Sequence, residues 1–208
     1  MAIEVFAELT CPFTHLALRR IVQRRADVGR DAPVLRIRPW PLELVNGRPL
    51  DAQHVAEEAD ALRAQVSPDL FAGLDVGAFP ASSFPGFRLV EVAYDRDDAL
   101  GERVSLALRD ALFEEGRDIG SPVVVVEIAE AHGLEAPDEA VDDRVRLAYD
   151  EGRRRGVEGS PFFFVAGSAM FCPLLDIRRD DAGDLQVSLD EPAVHELLDG
   201  WFAEGGSS

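Results

Sequence analysis

Cys11 stands where an apolar run, Ile3 to Leu9, gives way to a helical pattern, in the order Leu9-Thr10-Cys11-Pro12-Phe13-Thr14-His15. A side chain at a strand-to-helix junction faces unsatisfied backbone N–H groups at the positive end of the helix. A thiol there is expected to move from a pKa of about 8.5 towards roughly 3.5–7.5, which makes it a nucleophile at neutral pH. The competing reading is packing, because free cysteine is among the most often buried side chains. A second element far along the chain favours the first reading. Gly159-Ser160-Pro161 opens the run Phe162-Phe163-Phe164-Val165. The first residue of a strand is one of the few sheet positions that tolerates proline, and a tight approach there is where a cis X-Pro bond is retained.

The intervening pattern constrains the architecture. Leu16, Ile21 and Val22 predict a first helix ending near Gly29, and Leu35 and Ile37 a strand stopping before Pro39. A right-handed crossover lays that strand parallel to the first. From about residue 50 to 156 the chain reads almost wholly helical, with a break at Ala78 to Phe87. Val104, Leu108, Ala111 and Leu112 form one apolar stripe, and Val141, Val145, Ala148 and Tyr149 another. Ser121-Pro122 is a helix start. Phe162 to Cys172 reads as a hairpin turning at Gly167-Ser168, which sets Cys172 opposite Phe163. Leu175 and Ile177 then alternate against Leu185, Val187 and Leu189 in a second hairpin, and a last helix follows Pro192. The expected division is a discontinuous domain over 1–49 and 157–203, an inserted helical subdomain over 50–156, and a disordered tail over 204–208.

Composition narrows the partners. A formal charge of -18 and a pI of about 4.5 set the chain against nucleic acid and anionic membranes, whose phosphates would repel it. No apolar run reaches membrane-spanning length, and no basic-then-apolar leader precedes the first strand, so the cytoplasm is the expected compartment. Two cysteines in a reducing compartment suit one reactive and one structural thiol better than a stabilising disulfide. His15, His54, His132 and His195 lack ligand spacing, and no metal is expected.

Cys11 to Thr14, the stretch Ala111-Leu112-Phe113-Glu114-Glu115-Gly116-Arg117-Asp118-Ile119, and Arg155 to Pro161 together resemble the DsbA-like branch of the thioredoxin superfamily. That branch includes 2-hydroxychromene-2-carboxylate isomerases and kappa-class glutathione transferases. The resemblance implies an α/β thioredoxin-like fold with an inserted all-helical subdomain, and the second C-terminal hairpin departs from it. It also implies a site in which Cys11 and Thr14 are catalytic while Pro12, Phe13, Ser160 and Pro161 bind substrate.

Two-cysteine members resolve the mixed disulfide with a cysteine three residues on, and here that position is Thr14, so a local dithiol cycle is excluded. Monothiol chemistry remains, in which Cys11 forms and releases mixed disulfides, with Thr14 donating its hydroxyl to the sulfur. The implied partner is a small thiol or disulfide, with glutathione or another low-molecular-weight thiol as cosubstrate and no tightly bound cofactor. In the isomerase and transferase members serine stands at the Cys11 position, and an isomerase or transferase of that type is the alternative. A degenerate thioredoxin-fold binding module is a third reading. His15 is a candidate proton acceptor one turn from Cys11, with a packed ring as the competing role. Cys172 is expected to be structural, and the oligomeric state is left open.

Overall fold

The computed structural model describes residues 3–29 and 33–205. Strand β1 (Ile3–Ala7) leads into helix α1 (Pro12–Val28), which ends at Gly29, and β2 (Leu35–Pro39) follows. The chain then runs through α2 (Leu42–Asn46), α3 (Ala52–Gln65), α4 (Phe84–Arg96), α5 (Asp98–Phe113), α6 (Pro122–Ala131) and α7 (Asp142–Arg154). It returns to the sheet as β3 (Phe162–Val165) and β4 (Ser168–Phe171), adds a hairpin of β5 (Asp176–Arg179) and β6 (Leu185–Ser188), and closes with α8 (Glu191–Gly205). This is the expected mixed α/β fold, with helices between β2 and β3 and an extra C-terminal hairpin.

The main sheet has the order β2-β1-β3-β4; β1 is parallel to β2 and antiparallel to β3. Its central strand is sealed on both faces, which is why the run is apolar without clean alternation. Ile3, Val5 and Ala7 enter the main core with Phe163 and Val165. Phe6 points the other way, into a smaller cluster with Trp40, Val157 and Phe162. Helix α7 closes over that second face through Gly152, where a Cβ would come within 2.7 Å of Trp40 and 2.9 Å of Phe6. Only glycine allows so close an approach.

Strand β2 is an edge, and side chains rather than another strand satisfy its backbone. The Tyr94 hydroxyl donates to the Leu35 carbonyl (2.9 Å) and accepts from the Ile37 N–H (2.8 Å). Glu102 accepts from the Leu35 N–H at 2.5 Å while paired with Arg25. On the far side of the sheet, Phe163 packs on Trp201 of α8 with ring centroids 5.1 Å apart.

Several expected boundaries move. Strand β2 includes Pro39, which an edge strand tolerates. The helical break runs over 66–83, and Phe84–Phe87 opens α4 with Pro85 in its first turn. Ser121 starts α6 without a side-chain cap bond. Glu204 and Gly205, expected in the disordered tail, belong to α8, whereas 206–208 lie outside the described residues. The first hairpin turns at Ala166-Gly167, both at positive φ (50° and 86°), and not at Gly167-Ser168. That slip moves Met170 opposite Phe163, and the Cys172 N–H bonds to the Pro161 carbonyl at 2.9 Å.

Candidate functional site

Cys11 is the N-cap residue of α1, in extended backbone, with Pro12 at the first helical position. Proline is favoured there because its missing N–H would have no partner in the helix and its φ is already helical. Antiparallel pairing of β1 with β3 carries Ser160 to the same end of the sheet. There the Cys11 thiol donates to the Ser160 carbonyl oxygen at 3.4 Å. The Ser160–Pro161 peptide bond is cis. The Ser160 hydroxyl shares a 2.7 Å hydrogen bond with the Thr14 hydroxyl and accepts the Glu8 N–H at 2.8 Å. Ser160 thus ties the end of β1 to the first turn of α1. Pro12 is buried, and Phe13 is half-buried against the main core.

Beneath Cys11 lies a polar network that the sequence reading did not find. The Glu8 side chain is 1% exposed, yet both carboxylate oxygens are satisfied. Oε1 accepts from the Thr10 N–H and hydroxyl, at 3.0 and 3.2 Å. Oε2 accepts from the Leu42 N–H at 2.7 Å and the Ser83 hydroxyl at 3.3 Å. Arg109, fully buried, donates to the Glu8 carbonyl at 2.8 Å, while its Nε and Nη2 have no hydrogen-bond partner. Burial pushes the Glu8 carboxyl up from its ordinary range and the Arg109 guanidinium down to about 10. Each charge opposes the other's shift.

The electrostatics correct the expectation of a lowered Cys11 pKa. Burial, at 4% exposure, pushes the thiol above its ordinary value. The Thr14 hydroxyl and N–H and the Ser160 bond pull it back, while the carboxylate of Glu58, from α3, raises it further. A helix terminus stabilises a thiolate by a modest amount, and stripping the sulfur of water outweighs it here. The Thr14 hydroxyl, expected to serve the sulfur, is hydrogen-bonded to the Ser160 hydroxyl at 2.7 Å.

His15 does not face the sulfur. Its ring stacks on Phe113 with centroids 4.8 Å apart, and Nε2 meets Glu114 Oε1 at 2.8 Å. Burial holds the imidazole below its ordinary pKa. Burial alone would raise Glu114, but His15 and the N–H groups of Phe71 and Ala72 hold it below the usual carboxylate range. The second cysteine, Cys172, is buried, and burial followed by the charge of Cys11 pushes its thiol up to about 12. Both cysteines are free. Among the described residues no group of three or more His, Cys, Asp or Glu side chains could hold a metal, and no helix is long and apolar enough to cross a membrane.

Solved structures share this arrangement of elements. A 2-hydroxychromene-2-carboxylate isomerase superposes with a TM-score of 0.60 at 15% identity, over 82% of this chain and 88% of that one. The cytosolic disulfide reductase DsbM from Pseudomonas aeruginosa does so at 0.59 and 20% identity, over 98% and 96%. Its structure with GSH gives 0.55 at 21% identity, over 98% and 96%. No curated protein sequence matches the chain. The model of the DSBA-like thioredoxin domain family matches residues 2–177, from the start of β1 through both hairpin-linked strands of the sheet, and the chain belongs to that family.

Proposed function

We propose that the protein is a thiol–disulfide oxidoreductase that works through Cys11 alone. The observation that carries this reading is the Cys11 sulfur at the N-cap of α1, hydrogen-bonded to the residue before Pro161, with Thr14 where a resolving cysteine would stand. Cys11 loses its proton, and its thiolate attacks one sulfur of a disulfide RSSR. The Cys11–S–S–R bond forms, the R–S–S–R bond breaks, and the departing RS⁻ takes up a proton. A second thiol R′SH then attacks the sulfur of R as its thiolate, releasing RSSR′ and returning Cys11 to the thiol.

In this reading Thr14 holds the sulfur by hydrogen bonds, Pro12 and Phe13 wall the approach, and Ser160 and Pro161 receive the substrate backbone. The substrate is a small thiol or disulfide; glutathione is the first candidate because the fold neighbour DsbM has been solved with it. Two free, buried cysteines suit a reducing, cytoplasmic setting. The helices between β2 and β3, residues 50–156, act as an inserted cover over the sheet.

The test is incubation with glutathione disulfide followed by intact-mass measurement without reductant. A single glutathione adduct on the wild type, lost in Cys11→Ser and kept in Cys172→Ala, is expected. An adduct that persists in Cys11→Ser would refute the assignment.

A further inference from the structure

Strand β4 is the other edge of the main sheet, and its last residue, Phe171, is 51% exposed. A single exposed apolar side chain is ordinary on a protein surface. What sets Phe171 apart is what its ring touches. A Cβ added to Gly159 would run into Phe171 Cε2 and stand 2.9 Å from Cζ, so the ring lies on bare backbone that any other residue would cover. Gly159 is joined to Ser160, whose carbonyl oxygen receives the Cys11 thiol at 3.4 Å. The residue after the ring is fastened to the same loop. The Cys172 N–H bonds to the Pro161 carbonyl at 2.9 Å, with Cys172 held at φ 41°, a conformation that non-glycine residues keep only where their surroundings enforce it.

Phe171 also ends a row of aromatic side chains. It stands opposite Phe162 in the β3–β4 pair, and directly opposite residues share a face of the sheet. Phe162 and Phe164, two apart on β3, have ring centroids 5.3 Å apart, and the Arg155 guanidinium carbon sits 3.8 Å from the Phe164 centroid. Phe162 is buried and Phe164 half-buried. Phe171 is the member of the row left open, and it is the one that lies on Gly159.

Resting on the thiol–disulfide reading above, in which Ser160 and Pro161 receive the substrate backbone, we propose that Phe171 determines specificity: its open ring packs on an aromatic or bulky apolar side chain next to the reacting cysteine of the substrate. An extended substrate advances about 3.3 Å per residue. Gly159 stands one residue from Ser160, so the matching step along the substrate is one residue from its cysteine. Glutathione, whose cysteine is followed by glycine, reacts without this contact and sets the basal rate.

Three uncharged peptides, each N-acetylated, amidated and supplied as its symmetrical disulfide, test this: Gly-Cys-Gly, Phe-Cys-Gly and Gly-Cys-Phe. They share the reacting cysteine and differ by one benzyl group on either side of it. Rates of adduct formation at Cys11 are read by intact mass, and each is divided by the rate of the same disulfide with free N-acetylcysteine. The wild type is expected to favour one of the phenylalanine peptides over the glycine peptide by about two- to tenfold, the range of one aromatic pair. Phe171→Ala should bring the three rates together, and Phe171→Tyr, which keeps the ring, should keep the ratio. Leu147→Ala removes a side chain of α7 that is 65% exposed and should leave the ratio unchanged, which separates this ring from apolar surface in general.

An unchanged ratio in Phe171→Ala overturns the assignment, and so does a loss in Phe171→Tyr or Leu147→Ala as large as in Phe171→Ala. A ring that merely supports the Gly159 loop would slow all three peptides alike on removal, which leaves the ratio unchanged and refutes selection. Equal normalised rates for all three on the wild type overturn the role of Phe171 while leaving the mixed-disulfide reading standing. Adducts with none of them remove both.

Discussion

Replacing Ser160 by alanine removes one oxygen and strands two buried groups. The Ser160 hydroxyl accepts the Glu8 N–H at 2.8 Å and bonds the Thr14 hydroxyl at 2.7 Å. Glu8 is 1% exposed and Thr14 0%, so water cannot replace the lost partner without entering the core. A buried donor or acceptor left without a partner costs about 1–3 kcal/mol. The Thr14 hydroxyl can still turn towards the Cys11 sulfur and recover part of its loss, whereas the Glu8 N–H is fixed by the backbone. The expected destabilisation is therefore about 2–4 kcal/mol. Urea unfolding measures it, and with m of about 2 kcal/mol/M the midpoint should fall by roughly 1–2 M at constant m.

Thr14→Val, alone and combined with Ser160→Ala, completes a double-mutant cycle, with an expected coupling of about 0.5–3 kcal/mol. A Ser160→Ala variant within about 0.5 kcal/mol of wild type, the range of an ordinary surface change, would refute the claim that this hydroxyl fastens β1 to α1.

Burial holds the Cys11 thiol above its ordinary pKa, so the rate of alkylation by iodoacetamide should still be climbing beyond pH 9. A plateau below pH 8 would refute that, and Cys172→Ala should leave the profile unchanged because its own thiol is pushed up to about 12. His15 is held neutral, below its ordinary 6.5, so its contribution is present above pH 6.5 and is lost as pH falls through the lower folded value. The stability gap between wild type and His15→Gln should narrow from pH 7.5 to 5.5, whereas a constant gap in urea unfolding would count against the buried neutral ring. Glu114 does not confuse that window, because its lowered carboxyl acts only below its ordinary 4.5.

What the sequence discloses and what it hides follow from the same periodicities. β1 and the Cys11-Pro12 junction are readable because a buried central strand is apolar on both faces and proline announces the helix start. The network behind Cys11 is not, for a specific reason. On α5, Glu102, Ser105 and Arg109 repeat at helical spacing and are all buried, whereas the same polar stripe on an average helix marks the solvent face. Here Arg25 meets Glu102 and the Glu8 carbonyl meets Arg109, two long-range contacts that no local pattern encodes.

The hairpin slip has a similar origin. Gly167 is compatible with the first or second place of a two-residue turn, and the choice between them rests on whether Ala166 accepts a positive φ. It does, at φ 50°, and moving the turn by one residue moves each cross-strand partner by two, so Met170 stands opposite Phe163 in place of Cys172 while every side chain keeps its face. Cys172 is thereby brought against Pro161, close enough for its charge state to feel Cys11. Cys172 itself is buried, and burial followed by the charge of Cys11 pushes its thiol up to about 12, which suits the structural role expected of it.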